Sequence, residues 1–360
     1  GKEVDRTPWS PNLAYWWQKA GDAIISQGEV GFLQSLGADP LIRGHFPATA
    51  RLWDHLFLFD VSYKNSSFRE IEKGKEKELI YETPAGNLRF LYKFSDVGNT
   101  WFLFEHGVKT EEDFKILAYL KEDAEVVPNF KRFNETLAMF GDDILIIPLL
   151  VQDMKSAFQA MLEYWVGTEE LVYALADYPD TVENTLKAMQ NLNKKTVEIS
   201  VQSMADVFIS WEDTSTTNIS PAFYTRYILP EINSWCDIIH DAGKLYIQHA
   251  CGTLKNLMHS MESSKIDGIE SISPPPTGDI ELWEARKILS PEKALIGGIE
   301  PTVFLNSSME EFGPYVETLI DGLKDSRFIL GNSDSCPLGV PLDKFRRVTE
   351  LVRGEKGERK

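Results

Sequence analysis

Short β-rich runs alternate with helix-length amphipathic stretches through the C-terminal half of the chain, and this rhythm most constrains the fold. The runs span residues 206–214, 244–251, 268–274, 294–300 and 327–334, with stretches such as 224–242 and 281–289 between them. Strand and helix signals alternating at this length imply βαβ units and a parallel sheet. Two earlier runs, 38–44 and 144–151, make seven, and 101–108 is a candidate eighth. A doubly wound sheet would normally carry a glycine-rich phosphate loop after its first strand. Neither G-x-G-x-x-G nor G-x-x-x-x-G-K-[ST] occurs. The expected fold is therefore an α/β, (β/α)8 TIM-type barrel with an N-terminal extension and a β-hairpin insertion.

Local signals add detail. Ser308-Met-Glu-Glu311 and Thr110-Glu-Glu-Asp113 predict capping boxes, and Thr168 before Glu169 and Glu170 predicts another N-cap. Residues 78–94 predict a hairpin turning at Pro84-Ala-Gly-Asn87. The expected organisation is one barrel domain over 1–360, with an insertion at about 50–110 and a charged tail from Arg353 to Lys360.

Composition removes several function classes. Of 360 residues, 43% are hydrophobic and 26% charged, which suits a folded globular chain. Lys plus Arg number 37 against 55 Asp plus Glu, a net charge of −18, which counts against nucleic acid and anionic lipid as partners. The longest apolar run, 144–151, is strand-sized and contains Pro148, far short of a membrane span. The first residues show no secretory h-region, and three cysteines suit a reducing compartment, so a cytoplasmic location is expected.

Chemically capable residues gather where the five runs finish: Trp211-Glu-Asp-Thr214, His249-Ala-Cys-Gly252, Glu270-Ser-Ile-Ser-Pro274, Gly297-Gly-Ile-Glu-Pro301 and Asn332-Ser-Asp-Ser-Cys-Pro337. In a barrel these ends ring one mouth. His249 and Cys251 share one side of an extended strand, because its side-chain period is two. With Cys336 they make a set of one imidazole and two thiols, which suits zinc with an open position. On spacing alone, the alternative is two structural cysteines and an unrelated histidine. Glu212, Asp213, Glu300 and Asp334 are candidate catalytic carboxylates, with ion pairing as their alternative role. Glu300 leads, because Gly297-Gly298 lets backbone approach closely just before it. Cys236 reads as a packed core thiol. His45, His55, His240 and His259 read as surface or satisfied core groups, and His106 stays open.

These motifs resemble the uroporphyrinogen decarboxylase superfamily, and within it the corrinoid-dependent methyltransferase branch. The likeness rests on His249-Ala-Cys-Gly252, Gly297-Gly-Ile-Glu-Pro301 and Ser335-Cys-Pro337, and it extends over nearly the whole chain. Residues 6–11, 37–40, 98–102 and 273–279 resemble the methoxyarene O-demethylase group in particular. The branch's zinc pattern, H-x-C with a distant C, falls on His249, Cys251 and Cys336. The resemblance implies a zinc enzyme working with a corrinoid. The chain has no D-x-H-x-x-G corrinoid motif, so the cobalamin is expected on a separate corrinoid protein. Decarboxylases of the superfamily present arginine to propionate groups in their N-terminal segment. Here that stretch offers Arg6 followed by Pro8, Trp9, Pro11, Trp16 and Trp17, so decarboxylation is not expected.

A non-enzymatic, zinc-dependent binding or regulatory protein on the same barrel is the alternative of a different class, against which the intact H-x-C…C set argues; among enzymes, two methyl transfers remain. One takes a methyl group from a methoxylated aromatic compound to cob(I)alamin. The other takes it from methylcobalamin to a thiol of the coenzyme M type. A sulfonate-bearing thiol needs cationic partners, whereas a methoxylated ring needs flat apolar walls. Trp9, Trp16, Trp17, Phe46, Trp53, Trp101, Phe104 and Trp211 can supply such walls, although at least half are expected in the core. The aromatic-rich segment favours the O-demethylase.

Overall fold

All five C-terminal runs extend as strands, because each is a nearly unbroken apolar stretch that can be buried on both faces, as parallel sheets require. The computed structural model describes residues 5–48, 54–323 and 325–354; Trp53 and tail residues 355–360 lie outside them. The strands among these residues are β1 (Leu41–Arg43), β2 (Phe59–Tyr63), β3 (Ser67–Lys73), β4 (Glu76–Thr83), β5 (Gly86–Ser95), β6 (Thr100–Glu105), β7 (Ala124–Pro128), β8 (Leu145–Ile147), β9 (Val207–Glu212), β10 (Leu245–Ala250), β11 (Gly268–Glu270), β12 (Ala294–Ile299) and β13 (Phe328–Asn332). The chain divides into two units, described separately: residues 1–58, 130–150 and 201–360 form the first, and 59–129 with 151–200 the second.

The first unit is α/β. Its five-stranded sheet has the order β13-β12-β11-β10-β9, all parallel, and β1 pairs with β8 in parallel. A single parallel bridge, Leu149 to Ile209, continues β8 toward β9. At the opposite edge, Trp9 bridges Leu330 of β13. The Ser10 amide donates to Leu330 O at 2.9 Å, and the Asp39 amide donates to Trp9 O at 2.7 Å, just ahead of β1. The parallel order thus runs from β1 around to residues 8–10 and back toward β1. No continuous closed ladder joins the strands among the described residues; single bridges complete the arc.

The candidate eighth strand does not belong to this arc. Residues 100–105 form β6, the edge of the antiparallel sheet β3-β4-β5-β6 in the second unit. Its alternating exposure is that of a half-solvated antiparallel strand. In the same sheet, β4 and β5 pair from Glu76 opposite Lys93 to Thr83 opposite Gly86, so the turn is Pro84-Ala85 and Gly86 already opens the next strand. The capping boxes at Thr110–Asp113 and Ser308–Glu311 both form. Thr168 is the first helical residue rather than the cap, since Gly167, at φ +96°, occupies the N-cap position.

Segment 8–10 lies so close to β13 that a Cβ on Gly331 would sit 2.7 Å from the Ser10 carbonyl oxygen. Neither backbone can yield alone. Gly331→Ala is therefore expected to cost about 1–3 kcal/mol in urea unfolding. Gly31→Ala, whose Cβ meets only Gln27 at 3.7 Å within a helix, is expected to be neutral or stabilising by about 0.5–1 kcal/mol.

Candidate metal centre

Register brings the candidate ligands together. His249 of β10 stands opposite Trp211 of β9 on one side and Glu270 of β11 on the other. Two residues beyond that level, just past the strand ends, come Asp213 and Cys251. The ligand atoms of Asp213, His249 and Cys251 all lie within 4.8 Å of one another. The Cys251 thiol donates to Asp213 Oδ1 at 3.0 Å. His249 Nδ1 lies 3.1 Å from Glu270 Oε2, which leaves Nε2 as the ring nitrogen available to the group.

Glu270 is held in turn. Its other oxygen pairs with the Arg43 guanidinium, and both side chains are buried. Arg43 also donates to Ser10 O at 3.0 Å and Leu41 O at 3.3 Å. Burial pushes the Glu270 carboxyl upward, but Arg43 and His249 outweigh it and hold it below its ordinary value. Burial opposes the charged form of His249, yet Cys251 and Glu270 raise it well above the ordinary imidazole range. Burial lifts the Cys251 thiol to about 11, against the pull of His249.

Asp334 belongs to this neighbourhood. Burial and the negative charges of Asp213 and Glu270 raise its carboxyl, while His249 and the Ser335 amide oppose them. Tyr15 is a group the sequence reading missed. Its phenol is raised by burial and by the charges of Asp334 and Asp213. It arrives because the Trp16 amide donates to Cys336 O at 3.0 Å and the Cys336 amide to Asn12 O at 2.9 Å. No local motif marks such a long-range strap.

The other expected residues are placed as follows. Cys336 is buried but stands outside the Asp213–His249–Cys251 group, and burial raises its thiol well above the ordinary value. Glu300, the leading carboxylate, is a helix N-cap: it accepts from the Val303 amide at 2.7 Å, Thr302 Oγ1 at 2.6 Å and Thr277 Oγ1 at 3.0 Å. Glu212 points to the opposite strand face from Trp211 and Asp213, where it accepts from Ser210 Oγ at 2.9 Å in a fully buried network with Tyr246. The oxygens of both carboxylates are engaged by these partners.

Of the aromatic residues, Trp9, Trp16 and Trp17 are buried, with Trp16 stacked on Phe32 at 5.4 Å and donating Nε1–H to Val340 O. Trp101 belongs to the second unit, packed on Phe94 and under Lys77. Phe46 is covered by the Arg132 guanidinium at 3.6 Å. Trp211 remains half-buried beside the group, with His55 edge-on at 5.4 Å. It fits only because Gly44 lacks a Cβ, which would stand 2.5 Å from its ring.

A family model described as uroporphyrinogen decarboxylase (URO-D) matches residues 154–355, more than half of the chain. The chain belongs to the uroporphyrinogen decarboxylase family. A solved methyltransferase from Methanosarcina mazei shares the fold, with a TM-score of 0.62 at 10% identity over 99% of this chain and 96% of that one. A B12-independent methionine synthase from Shewanella sp. W3-18-1 gives a TM-score of 0.44 at 10% identity, covering 99% of this chain and 94% of that one. No curated protein matches the chain. No helix among the described residues of this family member is long and apolar enough to cross a membrane.

Since Glu270 neutralises a buried guanidinium and orients His249, its loss strands a charge. Glu270→Gln is expected to cost about 3–5 kcal/mol in chemical denaturation. Glu300→Gln, which weakens only a helix cap, is expected to cost about 1 kcal/mol. Equal costs would show that the Arg43–Glu270 pair is not the support described.

Proposed function

We propose that this protein is a zinc-dependent methyltransferase that demethylates methoxylated aromatic compounds and passes the methyl group to cob(I)alamin on a separate corrinoid protein. The observation that carries this reading is the convergence of His249, Cys251 and Asp213 at adjacent strand ends, with Glu270 behind the imidazole. Imidazole, thiol and carboxylate donors suit zinc better than magnesium or calcium, which prefer oxygen alone. His249 and Cys251 would hold the metal with Cys336 as third ligand, and Asp213 would stand at the remaining position. Bound zinc would act as a Lewis acid for the charge growing on the departing ether oxygen.

The chain's own residues do the rest. Glu270 holds the His249 tautomer that presents Nε2. Asp334, its carboxyl raised chiefly by burial, retains a proton at higher pH than a surface aspartate and can give it to the leaving phenolate. Trp211 supplies a flat wall beside the group, backed by His55. The supporting frame is read as a (β/α)8-type ring with residues 8–10 completing the arc. Decarboxylation of a porphyrinogen is disfavoured, because Arg6 is clamped by both oxygens of Asp39 and Arg43 is paired with Glu270, leaving neither for propionates.

One observation favours a second reading. With Trp9, Trp16 and Trp17 in the core, the apolar walls reduce largely to Trp211, so a small thiol acceptor is the alternative substrate.

The protein as purified should contain near-stoichiometric zinc, most of it lost in Cys251→Ala and in Cys336→Ala. Full zinc in Cys336→Ala with loss in Asp213→Asn would give the third position to Asp213 instead. Methyl transfer from a panel of methoxyarenes to free cob(I)alamin, followed by absorbance, should proceed in the wild type and fall at least about 100-fold in Cys251→Ala. Turnover of methylcobalamin with a small thiol, and of no methoxyarene, would establish the thiol reading.

A further inference from the structure

The antiparallel sheet of the second unit has two edges, β3 and β6, and they differ in chemistry. β3 carries Arg69, Glu70, Glu72 and Lys73, and charges of this kind keep an edge from pairing with another chain. β6 reads Thr100-Trp-Phe-Leu-Phe-Glu105, with no charge before its last residue and no proline. Among the described residues no strand pairs with its outer side. Phe102 and Phe104 on this edge are 57% and 58% exposed. An uncharged edge with exposed aromatic rings is a template for a further strand.

The two faces of β6 are distinct, because burial alternates along it from Trp101 to Glu105. On one face lie Trp101, Leu103 and Glu105. Phe94 packs on Trp101 at 5.3 Å, Tyr92 stands opposite Leu103, and Lys77 Nζ lies 4.9 Å from the Trp101 ring. On the other face lie Phe102 and Phe104, with Lys93 Nζ 3.5 Å from the Phe104 ring. The ladder to β5 slips between Leu91 and Tyr92, which gives β6 one extra residue between Leu103 and Glu105. The alternation of exposure continues through that bulge.

A second copy of the chain complements this edge. Antiparallel strands related by a two-fold axis perpendicular to their sheet pair residues of equal parity, since opposed side chains share a face. With Leu103 on the axis, Phe102 stands opposite Phe104 of the second copy, and the symmetry makes this aromatic pair twice. On the other face Glu105 of the second copy stands opposite Trp101, where Lys77 lies, so opposite charges meet. Moving the axis to Phe102 sets Phe104 against Thr100 and Glu105 against Asn99. Moving it to Phe104 sets Phe102 against His106 and Glu105 against Leu103. The Leu103 register alone among these satisfies both the rings and the charge.

We infer that β6 is a dimerisation edge, at which two copies of this chain join their β3-β4-β5-β6 sheets through antiparallel β6 strands with Leu103 on the two-fold axis. The inference calls on neither the metal group nor the methyl transfer. Sedimentation velocity of the full-length protein from about 1 to 100 μM should show the mass rising to twice that of one chain. Phe102→Lys combined with Phe104→Lys should stay monomeric, and so should Phe102→Glu combined with Phe104→Glu, because each sets like charges opposite one another. Mixing the two variants should restore the dimer. Leu103→Cys should form a disulfide-linked dimer on mild oxidation, since directly opposed Cα atoms stand about 4.5–5.5 Å apart, within disulfide reach. Val97→Cys, more exposed but in the β5–β6 turn and off the axis, should cross-link at least about tenfold more slowly. The inference is overturned by a wild type that is monomeric across this range, including one that instead binds phosphatidylcholine vesicles through the same two rings. It is equally overturned by a dimer in either charged variant, by no recovery on mixing, or by equal cross-linking at positions 97 and 103. Should the charged variants fail to fold by circular dichroism, the wild-type mass and the comparison of Leu103→Cys with Val97→Cys decide together.

Discussion

The buried pair of Arg43 and Glu270 is the interaction on which the first unit's chemistry rests. A guanidinium removed from water is costly unless a carboxylate and further acceptors receive its donors. Here Glu270 takes the charge, while the carbonyls of Leu41 and Ser10 each accept from one terminal nitrogen of the guanidinium. One side chain therefore ties the N-terminal segment and β1 to β11 across the interior. Because Glu270 also meets His249, the pair fixes the imidazole that faces Cys251 and Asp213. The tie between the N-terminal segment and β11 and the orientation of His249 are two consequences of one neutralised charge.

The parallel strands sort the remaining polar groups by face. At the level of Trp211, His249 and Glu270, side chains face the side on which Asp213, His249 and Cys251 converge. One residue away, Ser210, Glu212, Tyr246, Gln248 and Tyr224 form a second buried network, linked by bonds such as Tyr224 to Gln248 at 3.2 Å. Its phenols are pushed upward chiefly by burial and then by Glu212, so they remain neutral donors. A polar network this deep holds strands only when its members are paired, and these bonds pair them.

Aromatic residues serve different ends in the two units. In the first, Trp16 and Trp17 pack with Phe32 and Phe345 into a core that anchors the N-terminal segment, and Tyr15 projects from the same turn toward the acidic groups. In the second, Tyr81, Phe90 and Trp165 meet edge to face and tilted around open space instead of filling it.

Much of the frame is legible in the sequence by itself. The seven parallel runs, the two capping boxes, the 78–94 hairpin and the pairing of His249 with Cys251 on one strand side all follow from local periodicity, because strand and helix repeats are properties of neighbouring residues. Parity along β9 distinguishes Asp213 from Glu212 in the way that parity along β10 puts His249 and Cys251 on one side. Other features depend on residues far apart in the chain, and only the folded chain decides them. Glu270 and Arg43 meet because β1 and β11 share an interior. Tyr15 comes within the electrostatic reach of Asp334 because its neighbours Trp16 and Asn12 hydrogen-bond to Cys336. Glu300 turns to cap a helix because its nearest amides are unpaired there. Residues 100–105 leave the parallel arc because a partner strand of their own hairpin sheet lies closer in sequence. Local patterning sets which elements form; the neutralisation of buried charge and the direction of each side chain are settled only when distant segments pack.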